Sequence, residues 1–366
     1  MARIRVLVVD DSVVVRKVLT DAISADPLLE VVGTASNGAI ALQKIPQVNP
    51  DIVILDVEMP EMDGLETVKR LRAAWARLPV IMCSSLTERG ADTTLRAIAN
   101  GATDYVAKPS RLNAAQLDSL GAFKAELVEK IKTLGAATIV PTPMVVPKNP
   151  STPRLPVSRP AVTALAIGCS TGGPNALATL FTNIPTDLPV PIFIVQHMPP
   201  LFTKMLAERL AASTGIKVTE ARDRDLVEPG CVYVAPGDYH MTIVRDGVRT
   251  RIALNQGMPE NSCRPAVDVM FRSAASFYGP GVLAAVLTGM GQDGTCGARS
   301  VVEAGGYVLV QDAASCVVPS MPGAVAAAGL ADAVFPIDRL AHELVSRIRR
   351  APPSPMASPS YQESRR

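Results

Sequence analysis

The chain has 366 residues, with 36 basic against 34 acidic side chains, 48 % hydrophobic and 19 % charged residues. That length predicts two or three domains and that balance excludes a largely disordered chain, while a net charge of +2 gives no strong field for nucleic acid or an acidic membrane surface. The six cysteines (Cys83, Cys169, Cys231, Cys263, Cys296 and Cys316) contain no CxxC pair, so neither a zinc knuckle nor a disulfide framework is expected, and reducing cytoplasm is the expected compartment. Charged residues, Pro or Gly interrupt every apolar stretch well short of the roughly 18 residues of a spanning helix, so no direct membrane insertion is expected.

In chain order, short β-branched runs at Arg5–Val9, Val31–Ala35, Ile52–Leu55, Val80–Cys83 and Tyr105–Ala107 predict strands. Helices are predicted near Val13–Ser24, Gly38–Ile45, Gly64–Ala74, Asp92–Asn100 and Ala115–Leu134. This alternation predicts a doubly wound (βα)5 domain over residues 1–134, with its ligand site beyond the carboxyl ends of the strands. Seven of the 31 prolines fall between Gly135 and Pro160, which predicts an extended linker over 135–160. A second mainly parallel α/β domain is expected over 161–350, and the Pro/Ser-rich run 351–366 reads as a disordered tail.

Acidic residues gather at the predicted strand ends of the first domain. Asp10 and Asp11 end the first strand, Asp56 ends the third, and Lys108 follows the fifth, directly before Pro109. Three converging carboxylates repel one another, and a hard cation with oxygen ligands, Mg²⁺, relieves that repulsion while leaving positions for a phosphoryl oxygen. Lys108 adds a compact positive charge and Ser84 a hydroxyl. Any one aspartate at a strand end reads as a solvated loop residue; the ordered set does not. With Met59-Pro60 and Asp63-Gly64, these residues resemble a response-regulator receiver domain. The resemblance implies that Asp56 accepts a phosphoryl group from a histidine kinase, that Asp10, Asp11 and Asp56 hold Mg²⁺, and that Lys108 contacts the acyl phosphate. It also implies that Ser84, where many relatives carry threonine, and Tyr105 relay the phosphorylated state.

The second domain opens with Ala164–Gly168, an apolar run leading into Cys169-Ser170-Thr171-Gly172-Gly173-Pro174. The pattern contains G-x-S-x-G, in which small residues let a sharp turn lift a serine hydroxyl clear of the sheet. A pyrophosphate-binding loop is the rival reading, but the spacing is not G-x-G-x-x-G, and Asp187 lies in a Pro-flanked loop rather than at a strand end. A nucleophilic serine needs a base and a group that orients the base. Of the three histidines, His197 ends the predicted strand Pro191–Gln196, His240 falls in a predicted hairpin Val232–Val244, and His342 lies on a closing amphipathic helix. Asp293 follows the strand Val282–Leu287 in a Gly-rich turn. Strand-end placement favours Ser170, His197 and Asp293. Ser170, Asp293 and His342 form the rival set in α/β-hydrolase order. Asp268 and Asp312 are the other acids weighed, with capping or solvated roles expected. Backbone amides near Thr171 and Met290 are the expected oxyanion donors.

These residues, with Gln196-His-Met-Pro-Pro200, Ala235-Pro-Gly-Asp238, Arg264-Pro-Ala-Val-Asp268, Thr288-Gly-Met-Gly-Gln-Asp-Gly294 and Ser315-Cys-Val-Val318, resemble the catalytic domain of the chemotaxis protein-glutamate methylesterases. The resemblance covers nearly the whole chain. It implies the triad Ser170, His197 and Asp293, methanol release from methylated receptor glutamates, and deamidation of receptor glutamines without a cofactor in the esterase. It also implies methyl-accepting chemotaxis receptors and a chemotaxis histidine kinase as partners, and a receiver that covers the catalytic face until phosphorylated. The long linker and the tail depart from shorter relatives and bear on partner contacts. Two other classes remain: a DNA-reading output, which would need a basic recognition stripe that the second half does not show, and a serine esterase acting on non-chemotaxis or small esters.

Overall fold

A computed structural model describes residues 3–109, 117–139 and 160–350. Residues 140–159 of the expected linker and the tail 351–366 lie outside the described residues.

The first unit contains β1 (Ile4–Val9), β2 (Leu29–Ala35), β3 (Ile52–Asp56), β4 (Val80–Ser85) and β5 (Asp104–Lys108), joined parallel in the order β2-β1-β3-β4-β5. The intervening helices are α1 (Val13–Ser24), α2 (Gly38–Val48), α3 (Gly64–Ala74), α4 (Glu88–Ala99) and α5 (Leu117–Ile139). β3 is buried along its whole length because helices cover both faces, and so its sequence is a continuous apolar run ending in aspartate. Ser12, Asn37, Asp63 and Thr87 cap the first four helices by accepting from backbone amides three residues on. Several edges differ from expectation, the largest being that Thr87 starts α4 at Glu88 rather than Asp92 and that α5 continues past Leu134 to Ile139, into the expected linker.

The second unit contains β6 (Ala164–Cys169), α6 (Gly173–Thr182), β7 (Ile192–Gln196), α7 (Phe202–Thr214), β8 (Lys217–Glu220), β9 (Cys231–Val234), β10 (His240–Asp246) and β11 (Arg249–Asn255). It continues through α8 (Val267–Tyr278), β12 (Val282–Val286), α9 (Thr295–Glu303), β13 (Tyr307–Gln311), α10 (Ser320–Ala327), β14 (Ala333–Phe335) and α11 (Ile337–Arg349). Seven strands form a parallel sheet in the order β14-β13-β12-β6-β7-β9-β8. The expected hairpin Val232–Val244 does not form. β9 is fully buried and pairs parallel with β7 and β8, whereas β10 turns back at Gly247 to pair antiparallel with β11 in a separate ribbon. An unbroken apolar run is the mark of a parallel strand covered on both faces, and Cys-Val-Tyr-Val is such a run.

The two units meet along α4, β5 and α5. α4 packs on α7 and α6. Leu95, Ile98 and Tyr105 share one apolar cluster with Phe202, Leu206 and Leu210. The Tyr105 and Phe202 rings stack with centroids 4.6 Å apart and planes within 8°. Asn175 Nδ2 donates to Ile98 O at 3.0 Å, and Arg209 donates to Leu95 O. On the α5 side, Phe123, Leu127 and Ile131 cluster with Val318, and Thr133 Oγ1 lies 3.2 Å from Met290 Sδ.

Candidate active site and acidic pocket

Strand order sets both sites. In the first sheet the chain reverses direction of growth between β1 and β3, and in the second between β12 and β6; the crevice beyond such a switch point is where open α/β sheets bind ligands.

At the first switch point the loop after β1 carries Asp10 and Asp11, and β3 ends on Asp56. One carboxylate oxygen from each lies within 4.8 Å of the others. Asp10 and Asp56 are buried and Asp11 is exposed. Lys108 Nζ reaches both buried acids, 2.7 Å from Asp10 Oδ2 and 2.7 Å from Asp56 Oδ1. Ser12 N donates to Asp10 Oδ1 at 2.9 Å, and Val57 N to Asp56 Oδ1 at 2.8 Å. Burial pushes the Asp56 carboxyl up to about 6, with Lys108 opposing and Asp10 adding to the shift. Burial also works against the Lys108 ammonium, but Asp56 and Asp10 help to outweigh it and hold it at about 12. An all-oxygen donor set with this proximity and one side open to solvent fits a hard divalent cation. Ser84 is fully buried at the end of β4, with Oγ 3.3 Å from Ser85 O, and Tyr105 is buried on β5.

At the second switch point three neighbouring strands each deliver one residue. Ser170 follows β6, His197 follows β7, and Asp293 lies in the turn between β12 and α9. The serine turn is held by Ser170 N donating to Thr288 O at 3.0 Å and Gln196 Nε2 donating to Ser170 O at 3.0 Å. Gly172 takes φ +77°, and Gly289 passes so close that a Cβ there would stand 2.9 Å from Ser170 Cβ.

His197 Nε2 lies 2.8 Å from Asp293 Oδ2, and because an ionised carboxylate only accepts, this nitrogen is the donor. Asp293 is held from all sides. Its Oδ2 also accepts from Val267 N at 2.6 Å; its Oδ1 accepts from Asp268 N, Gly294 N and Asn261 Nδ2 at 3.0, 2.9 and 3.0 Å. Burial raises the Asp293 carboxyl, but His197 and the backbone amides at the start of α8 outweigh it, so its pKa falls below the usual range. Asp268 moves the other way, pushed up by burial with Asp293 adding to the shift. Burial disfavours the His197 imidazolium; the bonds to Asp293 and Cys263 override it and raise the pKa to about 9.

The second ring nitrogen, Nδ1, lies 3.5 Å from Cys263 Sγ. Among the described residues Ser170 Oγ has no protein hydrogen-bond partner, so serine and imidazole stand near each other without a bond in this conformation. The Thr171 and Met290 amides likewise have no protein acceptor among the described residues.

The remaining candidates lie elsewhere. His342 is exposed on α11, with Nδ1 3.1 Å from Asp338 O, and does not reach the serine turn. His240 is buried, with Nε2 3.0 Å from Met258 O and Nδ1 accepting from Ala266 N at 3.3 Å. Asp268 accepts from Gly297 N at 2.6 Å, and Asp312 from Ser315 N at 3.0 Å, both holding turns. Sequence reasoning missed Asn261 and Cys263. Both belong to the tight turn Glu260–Cys263, where Asn261 and Ser262 take φ +51° and +61°. Asn261 donates to both Asp268 and Asp293, bridging the two carboxylates. The Asn-Ser pair was the available signal, since asparagine tolerates the left-handed region.

A doubly wound domain with a lysine across an acidic switch point, packed against a parallel α/β domain of hydrolase type, places the chain among response regulators with an enzymatic output. The family description "Response regulator receiver domain" matches residues 6–117, and "CheB methylesterase" matches residues 165–344. The chain is 50 % identical over 355 residues to a protein-glutamate methylesterase/protein-glutamine glutaminase of Trichodesmium erythraeum, covering 95 % of this chain and 100 % of that one. It is 50 % identical over 364 residues to the protein of the same name from a Nocardioides species, covering 97 % and 98 %. The crystal structure of the Thermotoga maritima CheB methylesterase catalytic domain is 42 % identical, with a TM-score of 0.50 over 51 % of this chain and 98 % of that one. The chain belongs to the CheB family of protein-glutamate methylesterases/protein-glutamine glutaminases that carry a receiver domain.

Proposed function

We propose that this chain is a phosphorylation-activated serine hydrolase that demethylates glutamate methyl esters and deamidates glutamines on methyl-accepting chemotaxis receptors. The observation that carries the reading is the His197–Asp293 hydrogen bond of 2.8 Å beside the Ser170 turn, at the switch point of a parallel sheet.

Asp293, ionised and fixed by backbone amides, holds the proton on His197 Nε2 and so leaves Nδ1 as the basic nitrogen. Ser170 Oγ would meet Nδ1 when substrate binds, in keeping with catalytic hydrogen bonds that tighten only then. Ser170 Oγ attacks the γ-carbonyl of the glutamate ester while Nδ1 takes its proton. The oxyanion faces the amides of Thr171 and Met290, each worth roughly 3 kcal/mol at the barrier. The imidazolium returns the proton to the leaving oxygen, methanol departs, and water, deprotonated by His197, hydrolyses the acyl-enzyme to restore Ser170. With glutamine the same sequence expels ammonia.

Regulation is read from the seam. Asp56 is the proposed phosphoryl acceptor from a chemotaxis histidine kinase, with Asp10, Asp11 and Asp56 as the cation ligands. Bound Mg²⁺ supplies charge neutralisation to the phosphoryl oxygens. Lys108, now bridging Asp10 and Asp56, would turn to the acyl phosphate, and Ser84 would follow it. Tyr105 carries the change outward because its ring stacks on Phe202 of the catalytic unit. The receiver also touches the catalytic turn through Met290. No helix among the described residues is long and apolar enough to cross a membrane, and we place the enzyme in the cytoplasm, at the receptors' cytoplasmic helices.

The test is methanol release from methylated receptor membranes. Ser170→Ala is expected to abolish it; release at the natural rate would refute the nucleophile.

A further inference from the structure

The imidazole of His197 is committed on one side only. Nε2 is tied to Asp293, and Nδ1, the nitrogen that ester chemistry needs, rests against a thiol. We propose that Cys263 Sγ and His197 Nδ1 form a two-ligand site for a borderline divalent cation of the Zn²⁺ class, whose binding removes the imidazole from ester chemistry.

Three observations support it. First, the Sγ to Nδ1 separation is 3.5 Å. Zinc bonds of about 2.3 Å to thiolate and about 2.0–2.1 Å to imidazole, at a tetrahedral angle, put the two ligand atoms about 3.5 Å apart. Second, the far nitrogen of a metal-binding histidine characteristically donates to a carboxylate, which fixes the ring and raises its basicity, and Asp293 already holds Nε2 in that way. Third, the pair is reachable: Cys263 is partly exposed and the His197 side chain retains 13 % of its accessible surface. Cys83, Cys169 and Cys231 are buried, and among the described residues Cys263 alone has a histidine nitrogen within contact.

The turn Glu260–Cys263 presents the thiol. Cys263 N donates to Glu260 O at 2.8 Å and Glu260 N to Cys263 O at 3.1 Å, closing a short antiparallel bridge. Asn261 pins the same turn to Asp293. Imidazole, thiol and orienting carboxylate are therefore parts of one rigid unit. On binding, the S–H bond is lost to give a sulfur–metal bond, the proton passes to solvent, and Nδ1 lends its lone pair, displacing any proton it carries. No electron is transferred. Water fills the remaining positions, and Ser170 has no base to take its proton.

This inference rests on the proposed role of His197 as general base, and the experiment separates the two. Cd²⁺ serves as the probe because cadmium bound to thiolate gives an ultraviolet charge-transfer band, to which the carboxylates of the receiver pocket contribute nothing. The full chain, with excess Mg²⁺ present, is titrated with Cd²⁺ in its natural form and as Cys263→Ser and Cys263→Ala. Zn²⁺ inhibition of methanol release is then measured as a ratio within each protein and reversed with a chelator. The expected result is a saturable band whose tightest phase is lost in both variants, leaving the weaker phase of exposed Cys296 and half-exposed Cys316, with loss of methanol release in the natural chain that a chelator restores and that both variants escape. An unchanged band in Cys263→Ser and Cys263→Ala, or equal inhibition of all three proteins, overturns the site and leaves the esterase reading standing. A band that depends on Cys263 without any loss of methanol release overturns the blocking step and leaves the general-base role of His197 standing.

Discussion

His197 owes its behaviour to what each ring nitrogen touches. With Asp293 on Nε2 and burial outweighed, the imidazolium persists to about pH 9 in the resting chain. A base must be neutral to take a proton, so below that pKa the competent fraction falls about tenfold per pH unit. The methanol-release rate of the unphosphorylated enzyme is therefore expected to climb with pH and level off near 9. Asp293→Asn should cut the maximal rate on the order of 10⁴-fold and move this limb down toward the ordinary histidine value; a pH–rate profile of both proteins reads the two effects together. A limb that stayed in place would show that Asp293 does not set the proton affinity of His197. Close to the serine, Gly289→Ala would put a Cβ 2.9 Å from Ser170 Cβ and 2.2 Å from Met321 Sδ. The methionine can swing away, whereas the serine turn cannot. A displacement near 1 Å costs on the order of 10²-fold in rate, so this variant should fold normally by circular dichroism and lose methanol release by about that factor.

Elements carried different amounts of their own evidence. Ser170, His197 and Asp293 stood out in the sequence because parallel strands announce themselves as apolar runs and their carboxyl ends converge. β9 was misjudged for the same reason in reverse: Cys-Val-Tyr-Val has no alternation, and only its pairing with β7 and β8 tells a central strand from one arm of a ribbon. The Asn-Ser pair hinted at a turn, but the importance of Asn261 and Cys263 comes from residues far along the chain. A turn with two left-handed non-glycine residues is fixed by Asn261 reaching Asp293, a contact across 32 positions. The seam between α4 and α7 was equally hidden, since Leu95 and Ile98 read as an ordinary core stripe until Leu206 and Leu210 are seen against them. A solvent-open groove of about 350 Å³ runs along that seam, lined by residues including Asp92, Leu95, Arg96 and Arg209. The Tyr105–Phe202 stack is the seam's one ring pair among the described residues, and such pairs contribute about 0.5–1.5 kcal/mol. Tyr105→Ala should accordingly raise the basal rate of unphosphorylated enzyme by about 2- to 10-fold. Asn175→Ala, which removes the bond to Ile98 O, should shift it in the same direction by less. Falling or unchanged basal rates in both would mean that this seam does not restrain the esterase.

At the scale of the molecule, two sheets of like construction each place a site at a switch point, and the surface between them links one to the other. The acidic pocket lies at the ends of β1 and β3, the proposed relay residues Ser84 and Tyr105 on β4 and β5, and β5 with α4 and α5 forms the face that meets the catalytic unit. Met290, adjoining the serine turn, is in contact with Thr133 of α5. A ligand shifts such an equilibrium only through unequal affinity for its two states, and in the proposed mechanism an acyl phosphate on Asp56 would do so by drawing Lys108 and Ser84 inward. The most direct test of the whole account is methanol release from methylated receptor membranes by the full chain, with Mg²⁺, before and after addition of beryllofluoride as a mimic of the Asp56 phosphate. The account predicts a marked rise in rate that Asp56→Ala fails to show and that Ser170→Ala abolishes entirely. An unchanged rate despite confirmed beryllofluoride binding, or a rise that persists in Ser170→Ala, would contradict it.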